Sequence, residues 1–207
     1  MTKNRFKSPP PLDRVFYDRE PELVARDLLG KLLISRIEET LCVGRIVETE
    51  AYLSREDPAC HAHRGKSRKN AAMFGPPGHA YVYSIHAKWC FNAVTEGEHT
   101  ASAVLIRAVE PLVGQSQMQT RRNTEVLFDL TRGPARLCQA LAIDREMNGW
   151  DLTRGKTLWI AADDWQPDDS TTIIAAPRIG ISSAQELLLR FFYAGNRYVS
   201  GPRSQHY

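Results

Sequence analysis

Hydrophobic and polar residues alternate along several stretches of the chain, as they do in β-strands that bury one face. The longest stretch runs from Leu41 to Leu53 and contains the run RIVETEAY. Gly, Pro and polar residues cluster between the stretches and indicate turns or loops. The predicted strands cover residues 31–37, 41–53, 79–85, 90–95, 102–109, 159–162, 173–181 and 190–199.

Apolar residues at helical spacing occupy shorter segments between these strands. The segment 21–29 is followed by Gly30, a residue that commonly ends helices. A second helix is predicted over 111–122, a third begins at Gly133-Pro134, and a capping box at Ser183–Glu186 predicts a fourth. Because helices and strands do not alternate strictly, we expect an α+β domain with a curved, largely antiparallel β-sheet and flanking helices.

The size of the chain favours one domain. Its 207 residues, 43% of them hydrophobic and 25% charged, can form one core but are few for two. We expect a single domain over 12–207, preceded by a polar, proline-rich and disordered tail at 1–11. The tail lacks the apolar run of a signal peptide, and no segment approaches the roughly 18 apolar residues of a membrane span. Four cysteines without paired spacing indicate a reduced, intracellular protein.

The candidate chemistry begins in the longest strand. Alternation places Glu48, Glu50 and Tyr52 on one face, and His61 follows after a short loop. Two acids on one face repel each other unless they are hydrated or have partners. Arg107, inside the apolar run AVLIRAV, needs an acidic or phosphate partner, and Glu50 is a plausible one. Such a set suits a pocket that binds a flat ring and activates water, although a strand glutamate can also simply face solvent.

Basic residues mark candidate phosphate contacts, and the net charge of +3 permits nucleic-acid binding without proving it. Arg64, Lys66, Arg68 and Lys69 lie close together before a Pro/Gly-rich turn, although a solvated loop would have the same composition. Arg136 lies near the start of the helix at 134, where backbone N–H groups attract anions. An ordinary packed helix is the alternative.

Metal and cofactor sites have little support in the sequence. Cys60, His61 and His63 are close together, but CxxC and HExxH spacings are absent. Neither common glycine-rich nucleotide loop occurs. We therefore expect neither a metal nor a cofactor.

Several motifs together resemble the alkyladenine (3-methyladenine) DNA glycosylase family. The resemblance extends from about Phe16 to Ser200, with the motifs in the family's order. They are RIVETEAY at 45–52, His61, MFGPPGHAYVY at 73–83, FN at 91–92, VLIRAVEP at 104–111 and GPARLCQALAI at 133–143. The resemblance implies a monofunctional repair enzyme with a protruding β-hairpin. It would flip a damaged purine (3-methyladenine, 7-methylguanine, hypoxanthine or ethenoadenine) out of duplex DNA and hydrolyse its N-glycosidic bond.

The resemblance also implies roles for individual residues. Glu50 matches the general base that activates water, and Arg107 matches the arginine that helps hold this water. The residues that match the lining of the base pocket are Tyr52, His61, Tyr83, Asn92 and Leu105. The family wedges a hairpin-tip tyrosine into the gap left by the flipped nucleotide. No tyrosine is available here, so Ile85 or His86 would have to fill that gap.

The resemblance further implies that the partner is double-stranded DNA containing damaged purines, with no membrane involved. A monomer is natural for an enzyme that binds one DNA site. In a bacterium it would act on the nucleoid in the cytoplasm, and in a eukaryote in the nucleus. Two alternatives remain: a noncatalytic module that binds damaged DNA or RNA on the same scaffold, and a metal-dependent hydrolase built on Cys60, His61 and His63.

Overall fold

The structure is a computed structural model that describes residues 6–37, 39–168 and 170–202. Eight described strands form one sheet, and all of their pairings are antiparallel. The strands are β1 (Leu32–Ile37), β2 (Thr40–Tyr52), β3 (Ala80–Ile85), β4 (Lys88–Thr95), β5 (Ser102–Val113), β6 (Leu158–Ala161), β7 (Ile173–Ala176) and β8 (Arg190–Tyr193). The predicted α+β domain with a curved, largely antiparallel sheet is confirmed.

Strand β2 is the centre of this sheet. The strand order is β3-β4-β5-β2-β1-β6, and β8 pairs with β2 and β7. β1 pairs with the first half of β2, whereas β8 pairs with Glu48, Thr49 and Glu50 in its second half. On its other edge β2 pairs with β5, so that Glu50 lies opposite Leu105. Both glutamates are therefore enclosed by neighbouring strands on each side.

Four α-helices flank the sheet: α1 (Arg14–Tyr17), α2 (Pro21–Asp27), α3 (Gln115–Arg122) and α4 (Pro134–Ala140). Proline at the first position favours the start of α2 and of α4, because its fixed φ suits a helix and its missing N–H is not needed there. Short 3₁₀ turns occur at Ala71–Phe74, Leu127–Asp129, Arg145–Met147 and Leu152–Arg154. The longest described helix has eight residues, whereas a bilayer span needs about 20.

Two predicted helices differ from the structure. The helix predicted over 111–122 begins at Gln115, because β5 continues to Val113 and Gly114 turns the chain with a φ of 81°. Pro111 is tolerated in β5 because the register against β2 shifts beside it. The helix predicted from the capping box at Ser183–Glu186 is wrong, since the described residues 177–189 contain no helix and Ala184 has a φ of 51°.

The sheet divides the buried side chains between its two faces. Phe91, Val104 and Ile106 pack with the helices in the main core. Residues that alternate with them, including Asn92 and Leu105, point to the opposite face. That face carries the candidate site.

The ends of the chain are only partly described. Residues 1–5 of the predicted tail and 203–207 of the predicted domain lie outside the described residues. The rest of the tail lies along β6. The Trp159 Nε1–H donates to the Pro9 carbonyl at 3.2 Å, and Pro11 forms an isolated bridge with Ala161.

Candidate active site

A cavity of about 490 Å³ opens between the β3–β4 hairpin, the loops at 58–61 and 179–183, and the start of α4 at Pro134. A narrow recess of about 20 Å³ adjoins it and shares several of its walls. We call the two together the ring-walled cavity. All five predicted base-pocket residues line it: Tyr52, His61, Tyr83, Asn92 and Leu105.

Glu50 lies directly behind the wall of this cavity and has no exposed surface. Its Oε2 accepts a hydrogen bond from the Tyr52 hydroxyl at 2.9 Å, and its Oε1 accepts one from the Ile179 N–H at 2.8 Å. Arg107 Nη1 lies 3.2 Å from the same Oε1. Tyr52, Arg107 and Ile179 all line the cavity. Three donors thus hold the carboxylate in place.

The predicted ion pair between Glu50 and Arg107 is present, but Glu48 extends it. Arg107 Nε donates to Glu48 Oε1 at 3.1 Å, and Arg190 Nε donates to the same oxygen at 2.6 Å. The Ser200 N–H and hydroxyl also donate to Glu48, at 2.7 and 2.9 Å. Two buried glutamates and two buried arginines form a quartet whose charges balance.

Charge compensation outweighs burial in this quartet. Burial alone would raise the pKa of Glu48, but Arg107 and Arg190 lower it below its ordinary value. Burial would likewise lower the pKa of Arg107, but Glu50 and Glu48 raise it. Glu48 and Arg107 therefore keep their charges at neutral pH, and Arg107 stays fixed next to Glu50.

Part of this network was not anticipated from the sequence. Arg190 lies in the apolar run RFFY, so the reasoning that selected Arg107 in AVLIRAV would also have found it. The backbone amide of Ile179 carries no signal in the sequence. Nothing in the sequence distinguishes Ser200 from the other polar residues near the end of the chain.

Aromatic rings form the outer wall of the cavity. The Tyr81 and Tyr83 rings are stacked, with centroids 5.3 Å apart. His61 meets Tyr83 edge-on at 4.5 Å, and its Nδ1 lies 2.8 Å from the Tyr81 hydroxyl. Burial lowers the pKa of His61, which favours the neutral imidazole at pH 7. Tyr81 is buried and fixes the position of the His61 ring. The strand spacing that places Tyr81 and Tyr83 on one face of β3 does not predict this role.

An ion pair behind Tyr52 joins two loops of the cavity. Arg178 and Asp57 form two hydrogen bonds of 2.7 Å, and neither side chain is exposed. The Arg178 guanidinium lies 4.6 Å from the Tyr52 ring centroid. Asp57 also accepts the N–H of Ala59 at 3.1 Å, in the loop that leads to His61. This pair links the loop that bears His61 to the loop whose Ile179 N–H reaches Glu50.

Comparison with known proteins shows the family of this chain. A family model described as methylpurine-DNA glycosylase (MPG) matches residues 15–197. The chain belongs to the methylpurine-DNA glycosylase family. The resemblance drawn from the motifs is therefore confirmed.

Named relatives cover nearly the whole chain. A protein of Carboxydothermus hydrogenoformans called "Putative 3-methyladenine DNA glycosylase" is 47% identical over 190 residues, 91% of this chain and 98% of that protein. A protein of the same name from Rhodopirellula baltica is 49% identical over 200 residues, 94% of this chain and 85% of that protein. A third, from Methanoculleus marisnigri, is 47% identical over 191 residues, 91% of this chain and 98% of that protein.

The hairpin tip of this methylpurine-DNA glycosylase family member is a two-residue turn. His86 and Ala87 have φ values of 49° and 60°, and Ile85 pairs with Lys88 across the turn. Both candidate wedge residues lie at the tip and are exposed, Ile85 by 48%. The strand after the turn begins at Lys88 and thus includes Trp89, whereas the predicted strand begins at residue 90.

The predicted phosphate contacts of this family member are exposed. Arg64, Lys66, Arg68 and Lys69 lie on one exposed loop beside the cavity, which we call the basic loop. Arg136 is exposed on α4 and pairs with Asp129 at 2.9 Å.

The candidate metal residues do not converge. Cys60 is buried in a small apolar cluster with Met73 and Tyr81, whereas His63 is exposed. Within residues 6–37, 39–168 and 170–202, no group of three or more His, Cys, Asp or Glu side chains is arranged to hold a metal ion.

Proposed function

We propose that this protein is a monofunctional DNA glycosylase acting on alkylated or deaminated purines of the 3-methyladenine, 7-methylguanine, hypoxanthine and ethenoadenine class. The observation that carries the proposal is the placement of Glu50. Its carboxylate lies behind a cavity walled by Tyr52, Tyr83 and His61, and is held by Arg107. The enzyme would hydrolyse the N-glycosidic bond and leave an abasic site.

The shape of the cavity supports binding of a flipped nucleotide. A base that remains stacked in duplex DNA cannot enter a cavity enclosed by a sheet, a hairpin and two loops, so the nucleotide has to rotate out of the helix. The gap would then be filled from the hairpin tip by Ile85 or His86, since an apolar or flat group can partly fill an unstacked step. The cavity is complete within one chain, which supports a monomer acting on double-stranded DNA.

The hydrogen bonds of Glu50 indicate which oxygen would act as the base. Oε1 is occupied by the Ile179 N–H and Arg107, whereas Oε2 accepts one hydrogen bond, from Tyr52. A carboxylate oxygen can accept two, so Oε2 keeps capacity for a water molecule. Because Glu50 has no exposed surface, the Tyr52 hydroxyl or the Ile179 loop has to shift when the sugar binds.

The reaction would proceed by attack of this water on C1′ of the sugar. Glu50 takes the proton of the water, the new C–O bond forms, and the purine leaves with the electrons of the N-glycosidic bond. The carboxylate also stabilises positive charge that develops on the sugar. A cationic alkylated purine needs little acid catalysis, because it already leaves as a neutral base.

Recognition would depend on the rings and on the surface cations. Stacking of a cationic purine on Tyr52 and Tyr83 contributes about 0.5–2 kcal/mol per good contact. For neutral lesions, shape and hydrogen bonds near His61 and Asn92 would discriminate. The basic loop and Arg136 would contact phosphates, which positions the DNA without reading its sequence. In a bacterial cell the place of action would be the nucleoid.

Excision assays on duplex oligonucleotides that each contain one lesion test the proposal. Alkali cleaves the DNA at abasic sites and reports product. Glu50→Gln keeps the size of the side chain but removes the charge, so we expect no detectable excision with DNA binding retained. Glu146→Gln, at an exposed position, is the matched control and should behave as wild type. Excision by Glu50→Gln at the wild-type rate would remove the assigned base, and lesion binding without excision by wild type would favour the noncatalytic module.

A further inference from the structure

A second opening lies on the other side of the hairpin from the ring-walled cavity. It has a volume of about 680 Å³ and lies between the hairpin tip and helices α3 and α4. We call it the tip cleft. Its lining includes Lys88 and Trp89 from the hairpin, Arg122 from the end of α3, and Arg136 from α4. The 490 Å³ chamber of the ring-walled cavity shares none of its lining residues, although both openings are bounded by the same hairpin.

The tip cleft is positively charged. Three cations line it, and Asp144 is the one carboxylate in that lining. Arg122 is held in place, because its Nε donates to the Leu130 carbonyl at 3.2 Å and its Nη1 donates to Gln139 at 2.5 Å. The pKa of Arg122 is lowered by burial and then by the nearby Arg136, whereas Asp129, which pairs with Arg136, acts in the opposite direction. Lys88, Arg122 and Arg136 still outnumber Asp129 and Asp144, which favours an anionic ligand in the cleft.

The position of the hairpin identifies the anion. A protein element inserted into a DNA groove has one strand of the duplex on each side. If the strand carrying the damaged base turns into the ring-walled cavity, the undamaged strand passes the opposite wall of the hairpin, where Lys88 begins β4. We propose that the tip cleft binds the phosphodiester backbone of the undamaged strand, through Lys88, Arg122 and Arg136. The inference rests on the proposed function and adds a second-strand site to it.

The partly buried Trp89 gives the cleft an aromatic surface next to these cations. A base left without its partner after flipping can stack on such a ring, because every base has a π-face. The tip cleft thus combines the two elements that bind a strand without regard to sequence, namely cations and an aromatic platform.

The test compares duplex and single-stranded DNA of the same lesion and sequence. Lys88→Ala is the principal variant, because Lys88 is exposed and its removal leaves the hairpin pairing intact. For duplex DNA we expect weaker binding. The slope of the logarithm of the association constant against the logarithm of the salt concentration should be shallower by about 0.9, the value of one phosphate contact. Binding to single-stranded DNA should not change. Arg122→Gln should have the same effect, and thermal unfolding shows whether that variant remains folded.

Two further variants serve as references. Lys69→Ala in the basic loop should weaken binding to both forms of DNA, because that loop lies beside the ring-walled cavity. Lys7→Ala is the matched control, since residues 6–11 lie along β6, at the opposite end of the sheet from the hairpin. The second-strand site would be overturned if Lys88→Ala left the salt dependence of duplex binding unchanged. It would also be overturned if Lys88→Ala weakened binding to single-stranded DNA as much as binding to duplex DNA. Absence of excision by the wild-type enzyme would instead overturn the proposed function.

Discussion

Glu48 and Arg190 form one of the shortest ion pairs in the structure, with 2.6 Å between Oε1 and Nε, and the same oxygen accepts Arg107 at 3.1 Å. Glu48 therefore anchors the arginine that holds Glu50. It has no exposed surface and can act on the reaction only through Arg107. It is a positioning residue.

We predict that Glu48→Gln is destabilised by about 3 kcal/mol, because two buried guanidinium groups would be left with one carboxylate. Excision should slow with little change in the affinity for DNA, since Arg107 loses its anchor. Urea unfolding and single-turnover excision measure the two effects. A folded variant with normal excision would show that Arg107 needs no support from Glu48.

The ion pair of Asp57 and Arg178 yields a second prediction. Asp57→Asn leaves a buried guanidinium without its counter-charge, which should cost about 3–5 kcal/mol. Arg178→Met in the same chain removes that unpaired charge and should recover part of the stability. Excision should remain slow in the double variant, because the Ile179 loop is no longer tied to the loop at 57–61. A double-mutant cycle on unfolding free energy, together with excision rates, separates the two effects.

His61 should make the stability depend on pH. Burial lowers its pKa in the folded protein below the ordinary value of 6.5, so the unfolded chain binds the proton more readily. The stabilising contribution of the neutral ring is complete above about pH 6.5 and decreases as the pH falls from there towards the folded pKa. Wild type should therefore lose more stability on acidification than His61→Gln. Identical pH profiles from urea unfolding would contradict this assignment.

Gly44 is required by the close approach of β5. A Cβ at this position would overlap the Val109 side chain and lie 3.3 Å from the Glu110 carbonyl oxygen. We predict that Gly44→Ala is destabilised by about 1–3 kcal/mol, the usual cost of overpacking. Adding Val109→Ala removes the nearest overlapping atom, Val109 Cγ2, and leaves the Cβ of residue 109 at 2.8 Å. If the overlap is the cause, Gly44→Ala should cost less in the Val109→Ala background than in wild type.

The hairpin tip permits a test of the wedge, in which Ile85 also lines the ring-walled cavity and His86 does not. Ala87 has a φ of 60°, which is unfavourable for a residue with a Cβ, so Ala87→Gly should stabilise the protein by about 0.5–1 kcal/mol with unchanged excision.

Ile85→Ala and His86→Gly each remove one candidate wedge. The variant with slower excision from duplex DNA identifies the residue that fills the gap, and normal excision by both would exclude a wedge at either position.

The strands and the candidate site were predictable to different extents. Alternation and the turn residues between the strands located β2, β3 and β4 within one or two residues, although β2 and β4 are buried on both faces over most of their length. Local signals failed where distant contacts decide the conformation. The capping box at Ser183–Glu186 has the sequence of a helix start, but the preceding residues are held by Arg178 and Ile179 against β2.

The site residues were likewise predictable where local spacing decides their positions, and not where distant contacts do. Glu50 and Tyr52 are two positions apart on one strand, so their proximity follows from the strand period. Ile179 lies 129 positions from Glu50 and contributes a backbone amide, for which no residue type is required. Pairings of this kind depend on the closed fold and leave no local pattern.

The double pairing of β2 has a consequence for durability. Glu48 and Glu50 lie between β5 and β8, and neither is near a free edge. Fraying of the outer strands cannot reach them, and the end of the described chain meets them through Ser200, which donates to Glu48. As the protein is heated, the reactive centre should persist until the whole domain melts, so that inactivation and cooperative denaturation are a single event.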